Sequence, residues 1–375
     1  MIRILIGDVL ESKAQTLVNT VNCVGVMGKG VALEFRKRFP DMYRDYLARC
    51  AGGQVRLGRP YLYRNLLTPW ILNFPTKDHW RSVSRVSDIE EGLSYLVQHY
   101  REWGITSLAL PPLGCGQGGL EWSVVGPILY RHVRQLGIPA ELYAPYGTPQ
   151  SQLEVEFLAQ AASGPEIGTQ PKPASALSPA WVALVTVVER IQREPYHWPV
   201  GRTIFQKIAY FATESGLPTG LRYVKGSYGP FASELKSVIT QLVNTGVVRE
   251  EQIGKMFAMK PGPAYPDAAE LFRSELGKWE PIIERVTDLF LRMTTRQAEV
   301  AATVYFVALS LTREGKGKPS EGAVFEEVKR WKQKRRPTLA DEEIARTTRS
   351  LNVLRWIDVH PSKDLPVPED ELAYA

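Results

Sequence analysis

The chain has 375 residues, 44% of them hydrophobic and 23% charged, with a net charge of +6 and a pI near 9.1. That length predicts two domains, that composition excludes global disorder, and no apolar run reaches the ~18 residues of a membrane span. Three widely spaced cysteines, Cys23, Cys50 and Cys115, exclude a disulfide scaffold and offer no zinc-type pairing.

The N-terminus, MIRILIGDVLE, has neither the basic start nor the long apolar stretch of a signal peptide, so a reducing cytoplasm is the expected location. The positive charge leans toward the N-terminal half, which hints at an anionic ligand or nucleic acid, although many ordinary enzymes carry as much.

In chain order, IRILIG and LVNTVN read as strands. GVALEFRKRFPDMYRDYLARC reads as helix interrupted at Pro40, and PYLYRNL and WILNFP as short β runs. SDIEEGLSYLVQHYREWG has a Ser or Asp N-cap, apolar spacing of three and four, and a closing Gly104. SLALPPLG is a buried strand, LEWSVVGPILYRHVRQLG a helix and AELYAP a last strand. Strands alternating with helices predict a layered α/β domain over residues 1–155. Residues 156–180 hold a Pro-rich, extended linker.

Beyond the linker, residues 181–360 read as mostly α-helical and winged-helix-like, with 361–375 as a tail. WVALVTVVERIQRE, TIFQKIAYFATESG and ASELKSVITQLVNTG are amphipathic helices. RYVKGSYGPF between the last two reads as an extended loop or a hairpin wing. Further helices are expected near 268–292, 295–311, 320–332 and 340–355.

Three segments carry chemistry. In GDVLESKAQTLVNTVNCVGVMGKGVA, an apolar strand ends at Asn22 and a glycine-rich loop leads into a helix. Glycines admit a close ligand and helix-start N–H groups attract phosphate, although a plain strand–helix turn has the same composition. It is neither a Walker loop nor the dinucleotide fingerprint. LALPPLGCGQGGLEW repeats strand, glycines and helix start. Two such loops in one α/β domain would pinch a diphosphate from both sides. In NFPTKDHWR, Lys77 follows a strand. It is either a solvated surface charge or, if a pocket desolvates it, a nucleophilic amine suited to an aldehyde-like sugar carbon.

Together these segments resemble the macrodomain family, the ADP-ribose-binding fold with a mixed sheet in three α/β/α layers. VNTVNCVGVMGKGVALEFRKRFP and FPTKDHWR resemble more narrowly the macrodomain antitoxins of DarT–DarG toxin–antitoxin systems. The resemblance is strong over residues 1 to about 150 and weaker beyond.

It implies that Asp8 holds the adenine amino group with Val9 beside it, and that Asn22 lies near the distal ribose. Met27, Gly28, Lys29, Gly30, Val31 and Ala32 would form the first ligand loop. Leu113, Gly114, Cys115, Gly116, Gln117, Gly118, Gly119 and Leu120 would form the diphosphate loop, with Tyr143 and Tyr146 near the adenosine. Lys77 matches the lysine that related glycohydrolases use for catalysis. Human relatives with this lysine carry an aspartate in the phosphate loop, and Gly116-Gln117-Gly118-Gly119 lacks it. Asp78, His79 and Glu121 lie nearby in sequence.

The reaction implied is removal of ADP-ribose from a base of single-stranded DNA, thymidine first, with ADP-ribose as substrate moiety and product and with no cofactor or metal. The alternatives are an ADP-ribose reader without catalysis and a hydrolase of protein- or phosphate-linked ADP-ribose. Arg36, Lys37, Arg38, Arg44, Arg81 and Arg85 offer DNA phosphate contacts or form a solvated basic face, and Trp80 offers a base-stacking ring or a rim aromatic.

Residues 201–248, with Tyr228-Gly229-Pro230, resemble a module of bacterial antitoxins. That resemblance implies that this half binds the DarT toxin, with an operator-binding winged helix as the alternative. No membrane partner is expected. The run KRWKQKRRP at 329–337 leaves nucleic acid open as a ligand of this half.

Overall fold

The computed structural model describes residues 1–162, 177–254, 256–315, 317–363 and 365–366, with side chains 160–162 left aside. The chain divides into two compact units, Met1–Pro173 with Lys236–Thr245, and Ala174–Leu235 with Gly246–Ala375.

The first unit is a six-stranded mixed sheet between two layers of helices. Its elements are β1 (Ile2–Ile6), β2 (Thr16–Asn22), α1 (Gly30–Arg38), α2 (Pro40–Ala51), β3 (Tyr61–Tyr63), β4 (Trp70–Lys77), α3 (Val86–His99), β5 (Leu108–Leu110), α4 (Trp122–Leu136), β6 (Ala140–Ala144) and α5 (Val155–Ala162). The sheet order is β1-β6-β5-β2-β4-β3. Five strands run parallel and only edge strand β3 is antiparallel.

Parallel strands bury both faces, so β2 and β4 are buried along nearly their whole length. One face packs Ile89, Leu93, Trp122, Val125 and Leu129 from α3 and α4. The other packs Phe35, Met42 and Tyr46 from α1 and α2. Pro40 sits at the first turn of α2, where its missing N–H costs nothing, and so it separates α1 from α2.

Two boundaries differ from expectation. The N-cap of α3 is Arg85, so Ser87 and Asp88 lie inside the first turn. Residues 155–162, placed in or beside the linker by their sequence, are helix, and Leu158 is fully buried in the first unit's core. The stretch 163–176 lies outside the described residues.

The second unit holds α6 (Pro179–Arg193), α7 (Arg202–Glu214), a hairpin of β7 (Val224–Gly226) and β8 (Gly229–Phe231), and then α8 (Leu235–Asn244), most of which counts with the first unit. A second hairpin, β9 (Val248–Ile253) with β10 (Met256–Pro261), was not legible as strands. There follow α9 (Tyr265–Leu271), α10 (Arg273–Lys278), α11 (Glu280–Phe290), α12 (Thr295–Glu314), α13 (Glu321–Lys332) and α14 (Asp341–Val353). The helix expected near 268–292 is three helices, each of the breaks falling at an aromatic C-cap, Phe272 or Trp279. RYVKGSYGPF is the hairpin alternative.

The centre of this unit is α12, buried along Ala298, Val300, Ala301, Val304 and Ala308. Beside it lies a buried charge cluster. Glu299 takes two bonds from Arg335 (2.8 and 2.9 Å) and one from Lys332 (3.1 Å). Lys207 and Lys332 each donate to a hairpin carbonyl, Pro230 O and Ser227 O, both at 2.8 Å. Burial, with Lys332 as a like charge, pulls the Lys207 amine down to about 7. No helix among the described residues is long and apolar enough to cross a membrane.

Candidate active site

In a parallel sheet, ligands are received at the carboxyl ends of the strands. The loops after β1, β2, β4, β5 and β6 all leave from that end, and four of them carry the segments singled out in the sequence.

The loop after β2 is shaped by Asn22. Its side-chain oxygen accepts from the Val24 and Val26 amides (3.0 and 3.2 Å), and its amide donates to Val26 O (2.5 Å). Tyr46 donates to both Asn22 oxygens from below. These bonds of the Asn22 side chain fold the loop itself. Met27 is buried under the loop, with Phe35 and Met42. Gly28, Lys29 and Gly30 are exposed. The start of α1 has no side-chain cap at Lys29, so its first amides remain available to an anion, with Val31 and Ala32 in the first turn.

The loop after β5 is a tight curl. Cys115 N donates to Pro112 O (3.1 Å), Gly119 N to Gly116 O (3.3 Å) and Leu120 N to Gly114 O (3.1 Å). Gly114 and Gly119 have φ of +74° and +80°, which side chains rarely adopt. The amides of exposed Gly116 and Gln117 donate to no backbone carbonyl among the described residues. Leu113 and Leu120 anchor the curl in the core. Burial pushes the Cys115 thiol up to about 12, so it is a packing residue and no nucleophile.

Lys77 ends β4. Register pairs it with Asn22 on β2, and Cys23 N donates to Asp78 O (3.1 Å) just beyond. Lys77 is 8% exposed, and its Nζ donates to Gln117 O at 2.5 Å. The lysine is thus a buried amine tied to the diphosphate loop, the desolvated alternative of its two readings. Burial, aided by Arg81 and opposed by Asp78, lowers the His79 imidazole from its ordinary value. Asp78 is exposed and caps its own turn by accepting from His79 N. Glu121 is the N-cap of α4 and makes no capping bond.

At the carboxyl end of β1, Asp8 accepts from Leu10 N (2.9 Å), and Val9 is buried. Tyr143 is buried, and its hydroxyl donates to Glu141 (2.9 Å), whereas Tyr146 is 97% exposed. β1 lies against β6, so Asp8 and Tyr146 follow neighbouring strands. Trp80 is 46% exposed with the Arg81 guanidinium 4.5 Å above its ring. Arg36 lies over Tyr43, Lys37 pairs with Glu34, Arg38 with Glu11, Arg44 with Asp41 and Arg85 with Asp88, so much of this basic run is already engaged. Among the described residues no three His, Cys, Asp or Glu side chains gather as a metal-ligand set.

Sequence reasoning missed Ser84. It is fully buried, its amide donates to Gly118 O (3.1 Å), and its hydroxyl sits beneath the diphosphate loop. Nothing in RSVSR distinguishes it from a surface serine.

The comparisons with known proteins agree with this geometry. A family model described as Macro domain matches residues 18–129. The chain is 36% identical over 311 residues to the DNA ADP-ribosyl glycohydrolase of Thermus aquaticus, covering 82% of each chain. It is 31% identical over 361 residues to the DNA ADP-ribosyl glycohydrolase of Mycobacterium tuberculosis, covering 90% of this chain and 95% of that one. A DNA ADP-ribosyl transferase–DNA ADP-ribosyl glycohydrolase fusion protein of Thermosipho africanus is 41% identical over 172 residues, 40% of this chain and 44% of its own. Two glycine loops and a buried lysine at the carboxyl ends of a macrodomain sheet, together with a match that runs well past that domain, place this chain in the DarG family of DNA ADP-ribosyl glycohydrolases.

Proposed function

We propose that the first unit grips the ADP-ribose moiety of ADP-ribosylated single-stranded DNA and that Lys77 drives its release from the base, thymidine being the base the family resemblance implies. The observation that carries this reading is the 2.5 Å bond from Lys77 Nζ to Gln117 O, which holds the amine against the loop that would bind the diphosphate. Bound there, the amine attacks the anomeric carbon. The carbon–base bond breaks with its electron pair and the base takes up a proton. Water then resolves the adduct, restoring the lysine and yielding ADP-ribose. The phosphate loop has no carboxylate, so the proton comes from water or from the substrate.

Asp8 and Tyr146 would border the adenosine and Asn22 would shape the first loop around the distal ribose. Trp80, with Arg81 over its ring, would receive a neighbouring base, and Arg36 a phosphate. The second unit would bind the DarT transferase. The Thermosipho relative, which unites transferase and glycohydrolase in one chain, supports that pairing.

Incubating the protein and Lys77→Ala with single-stranded DNA ADP-ribosylated on thymidine tests the hydrolase. Release of ADP-ribose by wild type alone supports the mechanism. Release by both overturns the role of Lys77. Release by neither, with ADP-ribose still bound, leaves a reader.

A further inference from the structure

Three carbonyls of the proposed diphosphate loop are taken by groups of the protein, and a fourth, Gly116 O, accepts from Gly119 N and from the Lys236 amine at 3.3 Å. Gln117 O is taken by Lys77 Nζ, Gly118 O by Ser84 N and Gly114 O by Leu120 N. The amides of exposed Gly116 and Gln117 donate to no backbone carbonyl among the described residues. This is the polarity an anion requires, and the strap from Lys77 to Ser84 enforces it at two adjacent carbonyls.

One group in this arrangement is unpaired. Ser84 is 0% exposed, and its hydroxyl has no hydrogen-bond partner among the described residues. A buried hydroxyl without a partner costs roughly 1–3 kcal/mol. Its position is informative. A β-carbon built on Gly118 would lie 2.3 Å from Ser84 Oγ and 2.2 Å from Gly114 O. Donor and acceptor therefore face one another across the side chain that Gly118 lacks. A small movement of the curl brings them together, and a residue larger than glycine would block it. The Ser84 backbone is held independently, by its own N–H on Gly118 O and by Asn244, which donates to Ser84 O (3.1 Å).

We infer that Ser84 is a positioning residue for substrate binding, whose hydroxyl donates to Gly114 O when the loop closes on the diphosphate of ADP-ribose. The inference rests on the proposed ADP-ribose site. A bond made only in the closed loop adds to ligand affinity and nothing to the stability of the free protein.

The test is Ser84→Ala in the full chain, with ADP-ribose affinity by calorimetry, thermal midpoint without ligand, and steady-state kinetics on ADP-ribosylated single-stranded DNA. The expected result is an ADP-ribose Kd weakened about tenfold, the worth of one such bond. The ligand-free midpoint should be unchanged or higher, with KM raised and kcat retained. Unchanged affinity in the variant, or a lowered ligand-free midpoint that accompanies the loss, overturns the role of Ser84 and leaves the site intact. Absence of ADP-ribose binding by the wild-type protein overturns the site itself, and the inference with it.

Discussion

Lys77 and Gln117 are joined by a 2.5 Å hydrogen bond from the side-chain amine to the main-chain carbonyl, past the end of β2, the strand that lies between β4 and β5. It ties the amine to the loop after β5, the proposed diphosphate loop. Lys77→Ala should therefore lower the single-turnover rate on ADP-ribosylated DNA by roughly 10²–10⁴, the usual weight of a positioned catalytic group. ADP-ribose affinity should fall far less, because the Gly116 and Gln117 amides remain. Rapid-quench kinetics beside calorimetry checks the split.

The glycines of that loop are not equivalent. A β-carbon at Gly118 would meet Gly114 O at 2.2 Å, whereas one at Gly116 meets nothing within 4 Å. Gly118→Ala should cost about 1–3 kcal/mol of stability, as overpacking does, and should abolish ADP-ribose binding. Gly116→Ala should unfold at the wild-type midpoint. Denaturant unfolding of the two variants side by side decides it.

Asn22 ties together the loop after β2 through three bonds from one side chain. Asn22→Ala leaves the Val24 and Val26 amides without that acceptor, so it should destabilise the protein by about 1–3 kcal/mol. It should also speed amide hydrogen exchange at residues 24–26, which mass spectrometry would detect.

Trp80 stands half-exposed beside the lysine loop. Trp80→Ala should weaken binding of ADP-ribosylated single-stranded DNA by about 1–3 kcal/mol, the worth of one stacked base, and leave free ADP-ribose affinity alone. Fluorescence anisotropy with labelled DNA, against calorimetry with ADP-ribose, separates the two.

Lys207 gives a pH signature. Its folded-state value lies near 7, below the ordinary 10.5, so between those values the unfolded chain binds the extra proton. Stability should then rise with pH from 7 toward 9, and burial of Lys332 adds in the same direction. Glu299 and Arg335 stay charged across that window. Lys207→Met should flatten the rise in urea midpoints.

Much of the first unit was legible in the chain. Apolar runs closed by glycine loops predict buried parallel strands with ligand loops at their ends, and Pro40 marks a real helix boundary because proline constrains the backbone locally, whereas the helix expected to close at Gly104 already ends at His99, with Tyr100 as its C-cap. The β9–β10 hairpin was hidden because VREEQI and MFAMKP alternate poorly and lack an Asn-Gly or Asp-Gly turn. The aromatic breaks at Phe272 and Trp279 were hidden for a like reason, since neither residue is a helix terminator by itself.

For the site, residue type and local spacing determined the two glycine loops, Lys77 and the family they resemble. Only tertiary structure decided which state Lys77 adopts, because its burial and its bond to Gln117 depend on the register of β4 against β2 and on β5 beside β2. Ser84 was decided the same way. Its partners, Gly114 and Gly118, lie some thirty residues further along the chain, and no local pattern encodes a contact that closes across the sheet.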